Sequence, residues 1–146
     1  MEILNRRARH DYFIEETYEC GISLKGCEVK SIRNGKANIK DSYGIVKHGE
    51  IFLLNMFIAN YKEGNIFNED ETRTRKLLLH KKEILKISNE LKLKSLTLIP
   101  LKVYFIRNKV KIELGVCRGK KNYDKRETIK ERDIERENRK SLKYRY

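Results

Sequence analysis

Three histidines, three cysteines and a scatter of carboxylates are the groups in this chain that could do chemistry. His10 lies between Arg9 and Asp11, where an imidazole could serve a nuclease as general base. A basic stretch is a poor place to hold a catalytic imidazole in one geometry. His10 therefore reads as a group that stacks on a base or bonds a phosphate. Cys20, Cys27 and Cys117 make an odd count without a C-x-x-C pair, which argues against a disulfide framework. No histidine sits at ligand spacing from a cysteine pair, so no metal site is expected and the thiols read as small buried hydrophobes. No Ser or Cys stands in a nucleophile elbow, and Gly115 and Gly119 are too far from any Lys-Ser/Thr pair to form a phosphate loop. Binding, rather than catalysis, is the chemistry these residues suit.

The charge points to what is bound. Lys and Arg number 34 against 21 Asp and Glu, a formal net charge of +13 over 146 residues. Such a field speeds encounter with a polyanion. No apolar run approaches membrane-spanning length, and MEILNRRARH lacks a signal peptide's apolar core, so a cytoplasmic protein with no membrane partner is expected. Residues 118–146 concentrate the charge: twelve Lys or Arg, six Asp or Glu, and only Ile129, Ile134 and Leu142 as aliphatics. That is too little apolar surface to offset the entropy of ordering. Asp124 and Glu127 nonetheless have capping-box spacing, followed by Glu127/Lys130, Asp133/Arg136 and Glu135/Arg139 at helical spacing. The tail is expected to be disordered alone and helical on a polyanion; a merely solubilising tail is the other reading.

Ahead of it, about 117 residues suffice for one modest core. Residues 5–12 form an arm or a short helix. Tyr18–Leu24 alternates as a strand with Tyr18, Cys20, Ile22 and Leu24 on one face. Cys27–Arg33 reads as a helix turning Val29 and Ile32 inward, stopped by Asn34-Gly35. Residues 42–46 and 50–58 form a hairpin, the second strand nearly all apolar and so central. Residues 59–74 are a long polar loop. A short strand over 75–79 precedes a helix with Ile84, Leu85, Ile87 and Leu91 on one face. A second hairpin, 96–106 with 109–116, turns at Arg107-Asn108, and Pro100 should mark an edge or bulge within it. Five or six short strands without βαβ alternation suggest a small antiparallel barrel of the oligonucleotide-binding (OB) type. Tyr12, Tyr61, Tyr123, Tyr144 and Tyr146 lie among basic residues and suit RNA stacking, whereas Tyr43 is expected to pack. Asn5 and Glu19 depart from the basic background. A carboxylate facing RNA must accept hydrogen bonds from base amino groups or 2′-hydroxyls; a solvated strand position explains Glu19 equally well.

Three blocks carry a family resemblance: NRRARHDYFIEETYECGISLKGCEVKSIRNGKANIKDSY, TRTRKLLLHKKE and GKKNYDKRETIKERD, in that order. They resemble the bacterial transfer-messenger-RNA-binding proteins, also called SsrA-binding proteins or small protein B. The resemblance implies a mainly β fold with helices (α+β): a six-stranded antiparallel OB-like barrel with three helices over 1–118, and a basic tail over 119–146. It implies a non-enzymatic adaptor, without cofactor, that binds the tRNA-like domain of transfer-messenger RNA and delivers it to stalled ribosomes for trans-translation. In that family the barrel stands in for the missing anticodon stem, and the tail enters the empty messenger channel as a helix. Elongation factor Tu is the candidate third member of the delivery complex.

By position, Asn5, Glu19 and Leu78 match the family's RNA-binding residues, and His10 the residue facing the decoding centre. Arg6, Arg7 and Lys36 join them as candidate RNA contacts. Gly119, Lys120, Lys121, Asp124, Lys125 and Arg126 match the tail motifs needed for tagging, with Ile129 and Lys130 in the helix that follows. Glu71 stands where many members have Pro, Ile134 where many have an aromatic residue, and Cys27 replaces a larger residue of some relatives. A generic OB-type single-strand binder or ribosomal protein is the alternative on residues alone. It would place several aromatics along one groove, and here they are scattered.

Overall fold

The computed structural model describes residues 2–60 and 70–120. Their framework is antiparallel. Strand β1 (Glu2–Leu4) is followed by helix α1 (Arg6–Asp11), strand β2 (Tyr12–Ile22) and helix α2 (Gly26–Arg33). Strands β3 (Ala37–Asn38), β4 (Tyr43–Lys47), β5 (Glu50–Leu54), β6 (Phe57–Ile58) and β7 (Arg75–Leu78) follow. Helix α3 (Lys81–Lys94) leads to the long hairpin of β8 (Thr97–Ile106) and β9 (Lys109–Gly119). The main sheet runs β1-β8-β4-β5-β7-β2-β9, and β9 pairs again with β8. The pairing thus makes a closed circuit of six strands, β8–β4–β5–β7–β2–β9, with β1 attached outside it and β3–β6 as a separate small ladder.

The three helices and the antiparallel order agree with expectation; the strand count is larger. β1 lies in the short extension ahead of Asn5, and β3 and β6 are two residues each, too short to show a period. Both hairpins turn on two residues with positive φ, His48-Gly49 and Arg107-Asn108, whose left-handed backbone matches the twist of the flanking strands. The apolar run 50–58 is not one strand. Asn55 takes φ 60° and breaks it into β5 and β6, a conformation that Asn tolerates better than most residues.

The core fills from one face of each strand. Cys20, Ile22, Ile51, Leu53, Leu77, Leu98, Val103, Ile112, Leu114 and Val116 meet Ile32 of α2 and Ile84 and Ile87 of α3. Each fully buried aliphatic side chain contributes roughly 1.5–3 kcal/mol relative to exposure. Leu85 does not join them: it is 64% exposed. Ile84, Ile87 and Leu91 share a stripe that a 100° step per residue excludes Leu85 from. Cys20 and Cys117 are buried free thiols, as expected, but Cys27 is only half-buried. Burial, with the nearby carboxylates, pushes Cys20 up to about 12 and Cys117 to about 11, so neither is a thiolate nucleophile at neutral pH.

Pro100 sits at a β-bulge, where the β8–β9 register shifts between Pro100 and Lys102. Helix α1 docks on that bulge, closing a second small cluster of Ala8, Ile99, Leu101 and Cys117. A charged clamp holds α2 to β7. Arg75, fully buried, donates from Nε to Glu28 Oε2 at 2.7 Å and from its terminal nitrogens to the Met56 and Glu71 carbonyls. Arg73 donates to the same carboxylate at 2.6 Å. Burial pushes the Glu28 carboxyl up, but hydrogen bonds from Arg73, the Lys25 amide and Arg75 outweigh it and hold it below the usual range. Buried charges persist only when paired in this way.

Candidate nucleic-acid interface

Strand register assembles the outward face. Cross-strand partners share a face, as do residues two apart. One row therefore runs Glu19–Glu113–Lys102–Leu4 across β2, β9, β8 and β1. The next runs Leu78–Gly21–Lys111–Tyr104–Glu2, reaching β7. Glu19 is exposed, and Leu78 is 50% exposed, large for a leucine. Leu78 lies over Gly21, where an added Cβ would come within 3.3 Å of the Leu78 Cβ. A side chain at position 21 would push Leu78 away. Glu19, Leu78, Leu79, His80, Glu83 and Lys111 line one shallow cleft there.

Glu19 stands directly opposite Glu113, which the sequence reading missed as a site residue. Like charges in that position cost stability. Neither is in an ion pair among the described residues. Glu113 was legible as the wet side of the β9 alternation, but its partner strand was not. Lys102 is engaged nearby, 5.0 Å from the Tyr104 ring centre and 3.5 Å from a Glu2 carboxylate oxygen. The face is thus mixed: acceptors at its centre, cations and apolar groups around them.

Asn5 lies beneath this surface. It is 6% exposed and caps α1, its Oδ1 accepting from the Ala8 amide at 3.2 Å. Its Nδ2 donates to the Pro100 and Ile39 carbonyls, at 2.9 and 3.2 Å, and its backbone amide to Leu101. The side chain ties α1 to the bulge and to the Ile39 carbonyl, so in this conformation both amide hydrogens of Asn5 are used internally. The sequence showed Asn ahead of a helix but not the bulge it would grip.

Helix α1 divides two surfaces. Arg6 and Arg9 flank a cleft that reaches Lys102 and Glu113. Arg7 turns the other way, paired with Asp11 at 3.5 Å. Asp11 also holds the His10 ring, Nδ1 to Oδ1 2.9 Å. The end of β9 meets the end of α1. Gly119 pairs with Tyr12, the Lys120 amide donates to the Asp11 carbonyl at 2.9 Å, and its Nζ to the Arg9 carbonyl at 3.1 Å. Arg118 and Lys120 both lie over the Phe13 ring, 4.7 and 4.8 Å from its centre. Gly119 and Lys120 thus stand beside His10, at the opposite end of β2 from Gly21. Lys36 stands apart in the turn after α2, its amide on the Ser31 carbonyl and its carbonyl on the Ala59 amide. Tyr43, expected to pack, is 38% exposed beside Arg7 and Tyr12. Lys121, Asp124, Lys125, Arg126, Ile129 and Lys130, with Tyr61, Tyr123, Tyr144 and Tyr146, lie outside the described residues. Among the described residues no helix is long and apolar enough to cross a membrane.

The comparisons with known proteins agree with one another. The family described as SmpB protein matches residues 2–144. The SsrA-binding protein of Caldicellulosiruptor bescii is 59% identical over 139 residues, spanning 95% of this chain and 88% of the relative. That of Clostridium acetobutylicum is 56% identical, spanning 95% and 90%. A solved structure described as "tmRNA-SmpB: a journey to the center of the bacterial ribosome" holds a chain that is 51% identical. It superimposes with a TM-score of 0.70, over 83% of this chain and 85% of that one. With near-complete coverage and more than half of the residues shared, this chain belongs to the SmpB family of SsrA-binding proteins.

Proposed function

We propose that this chain binds the tRNA-like domain of transfer-messenger RNA and delivers it to stalled ribosomes, where tagging frees the ribosome. It acts by binding, without cofactor, in the cytoplasm where ribosomes work, with elongation factor Tu as third member of the delivery complex. The observation that carries the reading is the outward pair Glu19 and Glu113 on a chain of net charge +13. Generic attraction to phosphate gains nothing from two opposed carboxylates, whereas base amino groups and 2′-hydroxyls need such acceptors. Family membership supports the identity of the RNA.

In this reading the six-strand circuit is an OB-like barrel. Glu19 accepts hydrogen bonds from the RNA, Leu78 packs on it, and Arg6, Arg7 and Lys36 meet phosphates. Asn5 contributes by fixing α1, and through it the arginines. His10 faces the decoding centre. Residues 119–146 form the ribosome-facing tail: Gly119 and Lys120 anchor it beside His10, Lys121, Asp124, Lys125 and Arg126 start it, and Ile129 and Lys130 continue it as a helix in the empty messenger channel. Cross-linking the chain to cellular RNA and sequencing the captured RNA tests the reading. It predicts transfer-messenger RNA and 16S ribosomal RNA as the dominant species; a spread over unrelated single-stranded RNA would contradict it.

A further inference from the structure

Behind α1, on the side away from Glu113, lies a cleft of about 380 Å³. Its lining includes Tyr12 at the start of β2, Tyr43 at the start of β4, Ser42 and Thr97, with the exposed cations Arg7 and Lys40. The volume is within the range of small-ligand sites. Ser42 is 3% exposed, and its Oγ is a buried side-chain polar atom with no hydrogen-bond partner among the described residues. Buried hydroxyls are normally satisfied, and an orphan lowers stability. Backbone geometry keeps it there. The Ser42 amide donates to the Ile39 carbonyl, and two residues on Gly44 lets β4 approach β8 so closely that an added Cβ would stand 2.8 Å from the Leu98 Cβ.

We propose that this cleft binds one unstacked RNA nucleotide, its base between Tyr12 and Tyr43 and its phosphate toward Arg7 and Lys40, with Ser42 turning its enclosed Oγ onto the base edge as the nucleotide enters. A free phosphate does not fit the lining, because Asp11 and Asp41 also face the cleft. Those carboxylates repel a bare anion but accept from base amino groups. Aromatic walls with a cationic rim are how proteins hold single bases without a sequence code. The site is separate from the Glu19 face, with α1 between them, and it sits beside Gly119, which pairs with Tyr12. It shares the RNA class of ligand and Arg7 with the function proposed above.

The test uses the full chain and a short single-stranded RNA pentamer carrying 2-aminopurine, whose fluorescence is quenched on stacking. Binding of the folded tRNA-like RNA is titrated in parallel. Tyr43→Ala should weaken the pentamer about tenfold, as loss of one stacking platform does, and leave the folded RNA unchanged. Ser42→Ala should also weaken the pentamer while raising the melting temperature of the free chain, opposite signs that a purely structural serine would not give. Unchanged pentamer affinity in Tyr43→Ala would overturn the proposal, and so would an equal loss for both RNAs. Intact pentamer binding beside no binding of the folded RNA would uphold the cleft and instead contradict the tRNA-like RNA as ligand.

Discussion

At its Gly21 end, β2 presents Glu19 beside the exposed Leu78 of β7, on an open face with few internal partners. At its Tyr12 end, Arg118 and Lys120 lie over Phe13, and Lys120 closes on the α1 carbonyls. Up to about 30 Å of strand separates the two ends. The first spends stability on unpaired acceptors and exposed apolar surface, the mark of a surface kept for a partner. The second is internally tied and basic, a fixed base from which the tail departs. The account gives RNA capture to the first end and ribosomal work to the second.

The largest predicted effect concerns the clamp beneath the Gly21 end. Arg75→Met leaves Glu28 buried with Arg73 as its one cationic partner, beside the Lys25 amide. It should destabilise the fold by about 3–5 kcal/mol, the usual cost of breaking a buried ion pair. Denaturant midpoints measure this, and a loss below about 1 kcal/mol, typical of a surface pair, would mean the clamp carries little. Glu28 adds a pH signature. Its native pKa is lowered, so its contribution is present above the unfolded carboxylate value near about 4.3. It is lost as pH falls through the lowered native value. Glu28→Gln should remove that acid-side loss.

Glu19→Arg comes next. It should weaken the tRNA-like RNA by about 1–3 kcal/mol, the cost of leaving polar groups unpaired, although it adds positive charge. Generic attraction predicts tighter binding, so a gain in affinity in a filter or anisotropy titration would make both ends of β2 merely basic. Smaller still is Lys111→Ala, on the same face. If Lys111 meets a phosphate, the slope of log affinity against log salt should shrink by about one. An unchanged slope would remove Lys111 from the contact surface and narrow the first region to Glu19 and Leu78.

Much of the framework was legible because periodicity reports burial. The β9 alternation, the α2 stop and both hairpin turns follow from local rules that tertiary contacts did not override. What failed depended on context. Adjacent apolar letters hid the Asn55 break, and the helical step placed Leu85 outside the stripe its neighbours share. The site was legible as residue types, not as positions. Glu19 and Leu78 meet through the β2–β7 register, which no single segment encodes. Asn5 showed its polarity but not that every polar atom would be used internally. Because β9 runs through Gly119 and Lys120 grips α1, a truncation that spares the fold should begin at residue 121, not 119.

That truncation is the most direct test of two ends with two tasks. The chain ending at Lys120 and the full chain are compared for affinity to the tRNA-like RNA and for peptide tagging on ribosomes carrying a truncated message. The account predicts affinities equal within about threefold, under 0.7 kcal/mol, and no tagging by the shortened chain. Tagging at the full rate, or an affinity lower by orders of magnitude, would contradict it.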